Sequence, residues 1–324
     1  MKAIICESYG PPSNLKYQEI ADPTPKDDEI LIQVKACSIN FPDTLIIQGL
    51  YQYKPALPFS PGSDIAGVVE AVGEKVKGFK VGDEVVATVS HGGFAEKIAA
   101  KAKMCIPKPA GMDFVQAASF LMAYGTSFYA LKNRARLKEG ESMLVMGASG
   151  GVGLTAVELG KLMGARVIAA ASTPEKLDLC KQYGADETIL YSEEDLKTRT
   201  KELTEGKGVD VIYDPVGGPF AEPALRAIGW EGRYLVIGFA AGQIPKIPLN
   251  LTLLKGCQIV GVFWGAFAQK FPAQNMQYMM QLLTWFNEGK LKPHIHATYS
   301  LENAPKALEE MAARKVMGKV VVTM

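Results

Sequence analysis

The sequence predicts an α/β protein in which a parallel sheet flanked by helices follows a β-rich N-terminal region. Two observations carry this prediction. From residue 141 onward, short β-branched runs alternate with helical segments of about 10–15 residues, which is the pattern of βαβ units. Residues 145–153, VMGASGGVG, place four glycines between the first of these runs and the first helix. The chain has 324 residues, a length that favours two domains.

The first hundred residues predict β-structure. The segments EILIQVKACSI, IAGVVEAVG and DEVVATVS are β-branched runs punctuated by glycine. Prolines crowd residues 55–61, which predicts an irregular loop. The pattern then changes to a helix over residues 113–132, where apolar side chains recur at helical spacing and Asp113 is a candidate N-cap.

The alternation that follows predicts strands at SMLVMG, RVIAAA, ETILY, VDVIYD and RYLVIG, with helices between them. After the apolar segment CQIVGVF we expect a long amphipathic helix, a strand, a helix and a last strand, GKVVVTM. The tail therefore returns to mixed structure. Domain boundaries are expected near residue 115 and within 265–290.

Composition excludes several classes of protein. The apolar fraction is 48%, the charged fraction 21% and the net charge +1, so nothing predicts attraction to nucleic acid or to an anionic membrane. No apolar run approaches the ~20 residues of a transmembrane helix, and the N-terminus lacks a secretory apolar segment. The five cysteines form no CxxC pair, which predicts a reduced, cytoplasmic protein without a disulfide framework.

The glycine turn has the context of a dinucleotide-binding site, because it follows a predicted strand and opens a predicted helix. Gly150 and Gly151 would let phosphates approach the backbone, and Gly153 would let helix and strand pack closely. Ala148 occupies the first glycine position of the strict GxGxxG pattern. A glycine turn without ligand is the alternative, and the further βα units favour a nucleotide.

The end of the second strand discriminates between NAD and NADP. A carboxylate there would bind the ribose hydroxyls of NAD, but Ala171, Ser172 and Thr173 occupy the position. Hydroxyls tolerate a 2′-phosphate, and Lys176 is close enough in sequence to pair with it. Although Lys176 could also be a solvated helix lysine, its combination with the missing carboxylate predicts NADP(H).

Four segments together resemble the medium-chain dehydrogenase/reductase superfamily. These are LPFSPGSDIAG (57–67), VGEKVKGFKVGDEVVA (72–87), YGTSFYALK (124–132) and GASGGVGLTAVELGK (147–161). Their order and spacing match the superfamily over essentially the whole chain. Within the superfamily, the sequence is most similar to the zinc-free NADPH:quinone oxidoreductases related to zeta-crystallin. The resemblance implies a GroES-like β-domain plus a doubly wound parallel-sheet Rossmann domain. The GroES-like domain would comprise residues 1–115, completed by about 270–324, and the Rossmann domain residues 116–269.

The same resemblance bears on metal. Alcohol dehydrogenases of this superfamily have a cysteine at the position of Asn40, a histidine at that of Ser63 and a third ligand near Met122. Asparagine and serine are not usual zinc ligands, so we expect no metal. Without a Lewis acid nothing stabilises the alkoxide of an alcohol, so an alcohol is a poor hydride donor. A quinone or conjugated enone accepts hydride with less assistance. The resemblance therefore implies an NADPH-dependent reductase of quinones or related conjugated carbonyls.

Family positions beside the reacting groups fall on Asn40, Asp43 and Tyr51. Asn40 would orient substrate or cofactor, or it is a turn asparagine near a proline. Asp43 would act in the site, or it holds the loop by hydrogen bonds. Tyr51 would donate to the developing oxyanion, or it is a packed aromatic.

The resemblance also implies a cofactor-binding set and a homodimer paired through the edge strand of the Rossmann sheet, at GVFWGAF. Trp264 in this segment could be interface, cleft wall or core. The cofactor-binding positions are Asn40, Thr126, Ser149, Gly150, Gly151, Val152, Ser172, Thr173, Lys176, Tyr191, Gly238, Phe239, Phe263, Trp264 and Gly265.

Two other functions remain open from the sequence. An enoyl-thioester reductase, acting on enoyl-CoA or an enoyl carrier protein, would share the fold and the zinc-free site. An NADPH-binding structural or RNA-binding protein of the zeta-crystallin type would keep the cofactor residues, although the near-zero net charge argues against RNA.

Overall fold

A computed structural model of the chain describes residues 1–324. Its strands are β1 (Lys2–Ile5), β2 (Lys16–Glu19), β3 (Glu29–Ile39), β4 (Asp64–Val72), β5 (Glu84–Thr88), β6 (Lys97–Lys101), β7 (Cys105–Pro107), β8 (Ser142–Met146), β9 (Arg166–Ala171), β10 (Glu187–Leu190), β11 (Val209–Asp214), β12 (Ile228–Val236), β13 (Gln258–Gly261), β14 (Ile295–Ser300) and β15 (Lys319–Thr323). Its α-helices are α1 (Phe41–Ile46), α2 (Phe114–Phe128), α3 (Gly151–Leu162), α4 (Pro174–Gln182), α5 (Leu196–Leu203), α6 (Ala221–Arg226), α7 (Asn250–Lys255), α8 (Trp264–Lys270), α9 (Pro272–Asn287) and α10 (Ala304–Ala312). None of these helices combines the length and the apolar character needed to cross a membrane.

The chain folds into two compact units. The first comprises Met1–Met122 and Pro293–Met324, and the second comprises Ala123–Lys292. These limits lie beyond the expected ones at residues 115 and about 270. Helix α2 runs through residue 115 without interruption, and α9 belongs to the second unit. Continuous helices thus displace both limits from the points where the sequence pattern changes.

The first unit is built on a seven-stranded sheet. Its order is β14-β15-β3-β4-β5-β7, and β6 also pairs with β3. The C-terminal strand β15 pairs antiparallel with β3, with Val320 opposite Ile39. Alternate residues of β3 and β15 are buried in one core with Phe94 and with helix α10. The tail of the chain therefore completes the N-terminal β-domain.

The second unit is a Rossmann fold. All of its sheet neighbours are parallel, in the order β10-β9-β8-β11-β12-β13. In chain order within this unit, that is the arrangement 3-2-1-4-5-6 of dinucleotide-binding sheets. The strand order reverses between β8 and β11, and ligands of such sheets bind at the carboxyl ends of the strands beside that point. The glycine turn follows β8 directly.

Two local predictions have different outcomes. Asp113 caps α2: its Oδ1 accepts from the backbone N of Gln116 at 2.7 Å, while Gln116 Oε1 accepts from the backbone N of Asp113 at 3.3 Å. The prediction of a strand through GVFWGAF is wrong, since β13 ends at Gly261 and α8 begins at Trp264. A short apolar run does not distinguish a strand from a buried helix.

Candidate functional site

The glycine turn leaves a helix N-terminus available to an anion. Gly147, directly after β8, has a φ of +55°, which favours glycine. Gly150 caps α3 and has no side chain to occupy the first-turn N–H groups, and the first turn contains no acidic residue. A Cβ on Gly153 would lie 2.3 Å from the carbonyl oxygen of Gly147, so only glycine allows this close packing. Free N–H groups and the helix dipole fit the pyrophosphate of a dinucleotide.

Three buried hydroxyl groups fasten this turn to the helix and strand behind it. Ser127 Oγ donates to the carbonyl oxygen of Val152 at 2.9 Å and lies 2.8 Å from both Thr155 Oγ1 and Tyr213 OH. Ser127 belongs to α2 and follows Thr126, the threonine expected beside the nicotinamide. The sequence did not predict this cluster, because its members lie on three separate elements.

The end of β9 carries a hydroxyl and an ammonium group side by side. Lys176 Nζ lies 3.3 Å from Ser172 Oγ, and Thr173 caps α4 by accepting from the backbone N of Lys176 at 3.4 Å. The neighbouring carboxylate of Glu175 is held at the helix start, where its own backbone N–H and the Thr173 hydroxyl lower its pKa. The donors grouped here suit a ribose 2′-phosphate.

Further predicted cofactor residues lie at the carboxyl edge of the same sheet. Tyr191 follows β10, and its ring centroid is 4.6 Å from that of Phe220. Gly238 lies just beyond β12, where its backbone N contacts the carbonyl oxygen of Asp214 at 3.4 Å. Phe239 packs over Gly217, where an added Cβ would lie only 2.8 Å from the ring.

The segment 263–265 separates an exposed from a buried aromatic residue. Phe263 is 55% exposed, whereas Trp264 is buried. Trp264 Nε1 donates to Asn275 Oδ1 at 2.9 Å, and its ring covers Gly125, where a Cβ would lie only 2.8 Å away. Among the three alternatives for Trp264, these contacts favour a place in the core of the unit. Gly265 lies in the first turn of α8.

The predicted catalytic residues lie in the first unit, around the corner where β3 passes into α1. Asp43 is buried, and its Oδ2 accepts from the backbone N of Asn40 at 2.7 Å. Burial raises the pKa of Asp43 to about 7, while the N–H groups of Asn40 and Gly62 and the charge of Lys319 act in the opposite direction. Of the two readings of Asp43, this geometry favours the one in which it holds the loop.

Two charged residues that the sequence did not predict complete a buried polar cluster, Asn40–Asp43–Asp64–Lys319. Lys319 Nζ donates to the carbonyl oxygen of Ile39 at 3.1 Å and to Asn40 Oδ1 at 2.5 Å. Asp64 accepts from Thr88 Oγ1 at 3.0 Å and from the backbone N of Met122 at 3.3 Å. Burial raises the pKa of Asp64 to about 6 and lowers that of Lys319.

Tyr51 adjoins this polar cluster. Its side chain packs against the core of the first unit, and burial and then the negative charge of Asp43 raise the pKa of its hydroxyl. The three predicted catalytic positions therefore come together in one place. The one sequence signal for Lys319 is a single lysine at the start of the apolar strand GKVVVT, which is also typical of a strand end at the surface.

The donor atoms around Asn40 differ from those of a zinc centre. Asn40, Ser63 and Met122 occupy the positions at which the resemblance to alcohol dehydrogenases implies zinc ligands. Nowhere in residues 1–324 do three or more His, Cys, Asp or Glu side chains form a group suited to a metal ion. Cys37 is buried nearby, and burial raises the pKa of its thiol well above the usual value.

Known proteins resemble the chain over its whole length. A family model described as an alcohol dehydrogenase GroES-like domain matches residues 26–110, and one described as a zinc-binding dehydrogenase matches residues 151–285. A quinone oxidoreductase-like protein 2 homolog from Nematostella vectensis is 38% identical over 324 residues, covering 99% of this chain and 88% of the relative.

Two solved structures are similar in fold. The Escherichia coli quinone oxidoreductase complexed with NADPH superposes with a TM-score of 0.94 at 30% identity, covering 100% of both chains. The CurK enoyl reductase superposes with a TM-score of 0.90 at 28% identity, covering 100% of this chain and 99% of that chain.

Proposed function

Because the chain belongs to the quinone oxidoreductase family of the medium-chain dehydrogenase/reductases, we propose that it reduces quinones or related conjugated carbonyls with NADPH. The observation that carries the cofactor is the pairing of Lys176 with Ser172 at the end of β9. The E. coli quinone oxidoreductase, which is complexed with NADPH in its solved structure, supports the same choice.

In this proposal the second unit holds the cofactor. The turn Ser149–Val152 binds the pyrophosphate, and Ser172, Thr173, Lys176 and Tyr191 surround the 2′-phosphate. Thr126, Gly238, Phe239, Phe263 and Gly265 flank the nicotinamide, while Trp264 supports Gly125 from behind. Bound NADPH supplies the hydride.

The first unit acts on the acceptor. Tyr51 donates a hydrogen bond to the oxygen on which negative charge develops, and Asn40 orients the acceptor by its amide group. Asp43 fixes the backbone of Asn40. A quinone or conjugated carbonyl suits these groups, because its charge delocalises and a few neutral donors stabilise it.

A spectrophotometric assay tests the proposal. Chelator-treated protein is mixed with NADPH or NADH, and absorbance at 340 nm is followed with 1,4-benzoquinone, 9,10-phenanthrenequinone and a 2-enoyl-CoA. We expect oxidation of NADPH in preference to NADH with a quinone, unaffected by chelator. No turnover despite tight NADPH binding would contradict a reductase and favour a binding protein.

A charge reversal tests the cofactor site. In Lys176→Glu we expect the Kd for NADPH to rise about tenfold or more, with little change for NADH, because the new carboxylate repels a 2′-phosphate. Lys181→Glu on the same helix is the matched control, since Lys181 pairs on the surface with Asp178. Equal changes of the Kd for NADPH in the two variants would show that Lys176 contributes only to the net charge of the protein and does not contact the 2′-phosphate.

A second candidate is reduction of an enoyl thioester, which the similarity to the CurK enoyl reductase favours. Turnover with the 2-enoyl-CoA and with neither quinone would select this function. The cofactor site and the hydride transfer would be the same in both cases.

We also propose that the protein is a cytoplasmic homodimer. Strand β13 is the edge of the parallel sheet and carries the exposed Ile259. Further exposed apolar side chains lie on its partner strand β12 and on the segment before it in the chain, namely Trp230, Leu249, Leu253 and Leu254. All five cysteines are free, as is usual in a reducing compartment. Ile259→Lys should yield monomers in light scattering, whereas Val81→Lys, on another exposed apolar residue, should not.

A further inference from the structure

Lys319 is buried opposite Asn40 because of the register between two strands. Val320 pairs with Ile39, so the preceding residue of β15 faces the residue that follows β3. The Lys319 side chain is only about one-twentieth exposed (5%). An ammonium group removed from water must find partners within the protein. It donates to Ile39 O and Asn40 Oδ1, and the negative charges of Asp64 and Asp43 raise its pKa against the larger lowering by burial.

The chemistry of the ammonium group fixes which way the Asn40 amide points. A lysine has three donors and no acceptor, so the atom of Asn40 that it contacts at 2.5 Å must be the oxygen. The amide nitrogen is thereby turned to the other side, towards Asp64, whose pKa the Asn40 side chain lowers. This nitrogen is buried, and no acceptor satisfies it at hydrogen-bond geometry.

Packing alone does not require a lysine at this position. The following residues of β15, Val320, Val321 and Val322, are buried and apolar, and an apolar side chain at 319 would fill the space without desolvating a charge. A buried ammonium group that interacts electrostatically with two buried carboxyl groups is instead typical of a site in which orientation or charge is used.

We propose that Lys319 is a positioning residue for the hydride acceptor: it holds Asn40 by the amide oxygen, so that the amide nitrogen keeps one N–H on the side of Asp64 and presents its second N–H to a carbonyl oxygen of that acceptor. The inference rests on the proposed reductase function and adds to it a residue 279 positions away from Asn40 in the chain. Lys319 acts through Asn40 and touches no reacting atom.

A double-mutant cycle tests this coupling. The variants are Lys319→Met, Asn40→Ala and the pair together, each assayed for kcat/KM with a quinone and for the Kd of NADPH. We expect Lys319→Met to lower kcat/KM by about 10- to 100-fold, because a misplaced orienting group has effects of this size. In the Asn40→Ala background the same change should cost less than about threefold.

Matched variants separate orientation from stability. Lys108→Met is the control, since the Lys108 side chain is also largely covered in the same unit, where it pairs with Glu84 at 3.0 Å and donates to the carbonyl oxygen of Met112 at 2.5 Å. It should leave kcat/KM within about twofold of wild type. Lys319→Arg should restore most of the activity, since it retains the charge and the donors. If Lys319→Met does not fold, Lys319→Gln, which keeps a donor, replaces it in the cycle.

A readout independent of turnover is the side-chain amide signal of Asn40 in a ¹H–¹⁵N spectrum, identified by its loss in Asn40→Ala. We expect this signal to shift and broaden in Lys319→Met and to be unchanged in Lys108→Met. Multiplicative effects on kcat/KM, or an unmoved amide signal, would overturn the inference. An inactive wild type would contradict the proposed function instead, and the amide signal would then decide the role of Lys319 alone.

Discussion

Each of the two units buries carboxyl groups, but it does so in a different way. In the Rossmann unit, Asp214 accepts from the backbone N of Val216 at 2.7 Å and of Gly217 at 2.9 Å, and from the hydroxyl of Tyr234. Glu158 accepts from Tyr124 OH at 2.7 Å and from the backbone N of Lys292 at 2.8 Å. Every one of these donors is neutral.

In the β-domain, by contrast, the buried carboxyl groups Asp43 and Asp64 act on each other and on one ammonium group, that of Lys319. With both carboxyl groups ionised, the polar cluster holds two negative charges against one positive charge. An unbalanced buried charge is expensive, which is why burial leaves the pKa of Asp43 near 7 and that of Asp64 near 6.

This difference in surroundings distinguishes carboxyl groups with a structural role from carboxyl groups in a candidate functional site. A carboxylate satisfied by neutral donors ties chain segments together and has nothing left to offer a ligand. A crowded set of charges with an unsatisfied amide nitrogen is held in place by the fold and is typical of a functional site. Removing the carboxyl group of Asp214 should therefore cost much stability, whereas neutralising Asp64 as asparagine, which keeps an acceptor oxygen, should cost little.

The largest effect is expected for Asp214→Ala. This change leaves two backbone N–H groups and the Tyr234 hydroxyl buried without their acceptor, at about 1–3 kcal/mol for each group. The free energy of unfolding, measured by urea denaturation followed by circular dichroism, should fall by about 3 kcal/mol or more. Asp214→Asn keeps an acceptor oxygen and should lose about 1 kcal/mol. A loss below about 1 kcal/mol in Asp214→Ala would contradict the structural role.

An intermediate effect is expected for the dependence of the free energy of unfolding on pH. Because the pKa values of Asp43 and Asp64 are raised to about 7 and about 6, the folded protein binds more protons than the unfolded chain, whose aspartates titrate near 3.9. The contribution of these two groups to stability is therefore largest at low pH and is lost as the pH rises from about 4 to about 7. The charged or polar groups that surround them are Lys319, Cys37, Tyr51 and Thr88.

Comparing wild type with Asp64→Asn isolates this contribution. His91 and His294, whose pKa values burial lowers, change stability in the opposite direction but are common to both proteins. Denaturation at pH 5 and pH 8 should show a smaller loss of stability in the variant than in wild type. At pH 8 the variant should be at least as stable as wild type to within about 1 kcal/mol. A steeper decline in Asp64→Asn would refute the charge imbalance.

The smallest effect is expected for Tyr124→Phe in the Rossmann unit. Glu158 would lose one neutral donor but keep the backbone N–H of Lys292, at a cost of about 1 kcal/mol. Thermal unfolding should detect this change, and kcat/KM should stay within about twofold of wild type. A large loss of turnover without a loss of stability would place Tyr124 in the reaction.

Some features of the site could be predicted because their signal is local. The strand–turn–helix around Gly150, the cap by Asp113 and the hydroxyl residues at the end of β9 each lie within a few consecutive residues. Turn and cap chemistry depends on neighbours three or four positions apart, so the sequence displays it directly.

Other features were missed because nothing local distinguishes them. Lys319 begins an apolar strand, as many surface lysines do, and Asp64 begins another strand within LPFSPGSDIAG, a segment that pointed to the family but not to a role for this aspartate. The apolar residues after Gly261 predicted a continued strand where the chain forms helix α8. In each case the packing around the segment determines whether a side chain is buried or whether the segment forms a strand or a helix. The composition of the segment does not predict that packing.

The sequence by itself determined the α/β class, the order of the βα units, the phosphate-binding turn and the absence of a carboxylate at the end of β9. Only the tertiary structure decided that Asn40, Asp43, Asp64 and Lys319 share one buried place. Lys319 and Asn40 are 279 residues apart, and they meet because the register of β15 on β3 sets them opposite each other. That register follows from which side chains the β-domain core accepts, and it is a property of the whole unit.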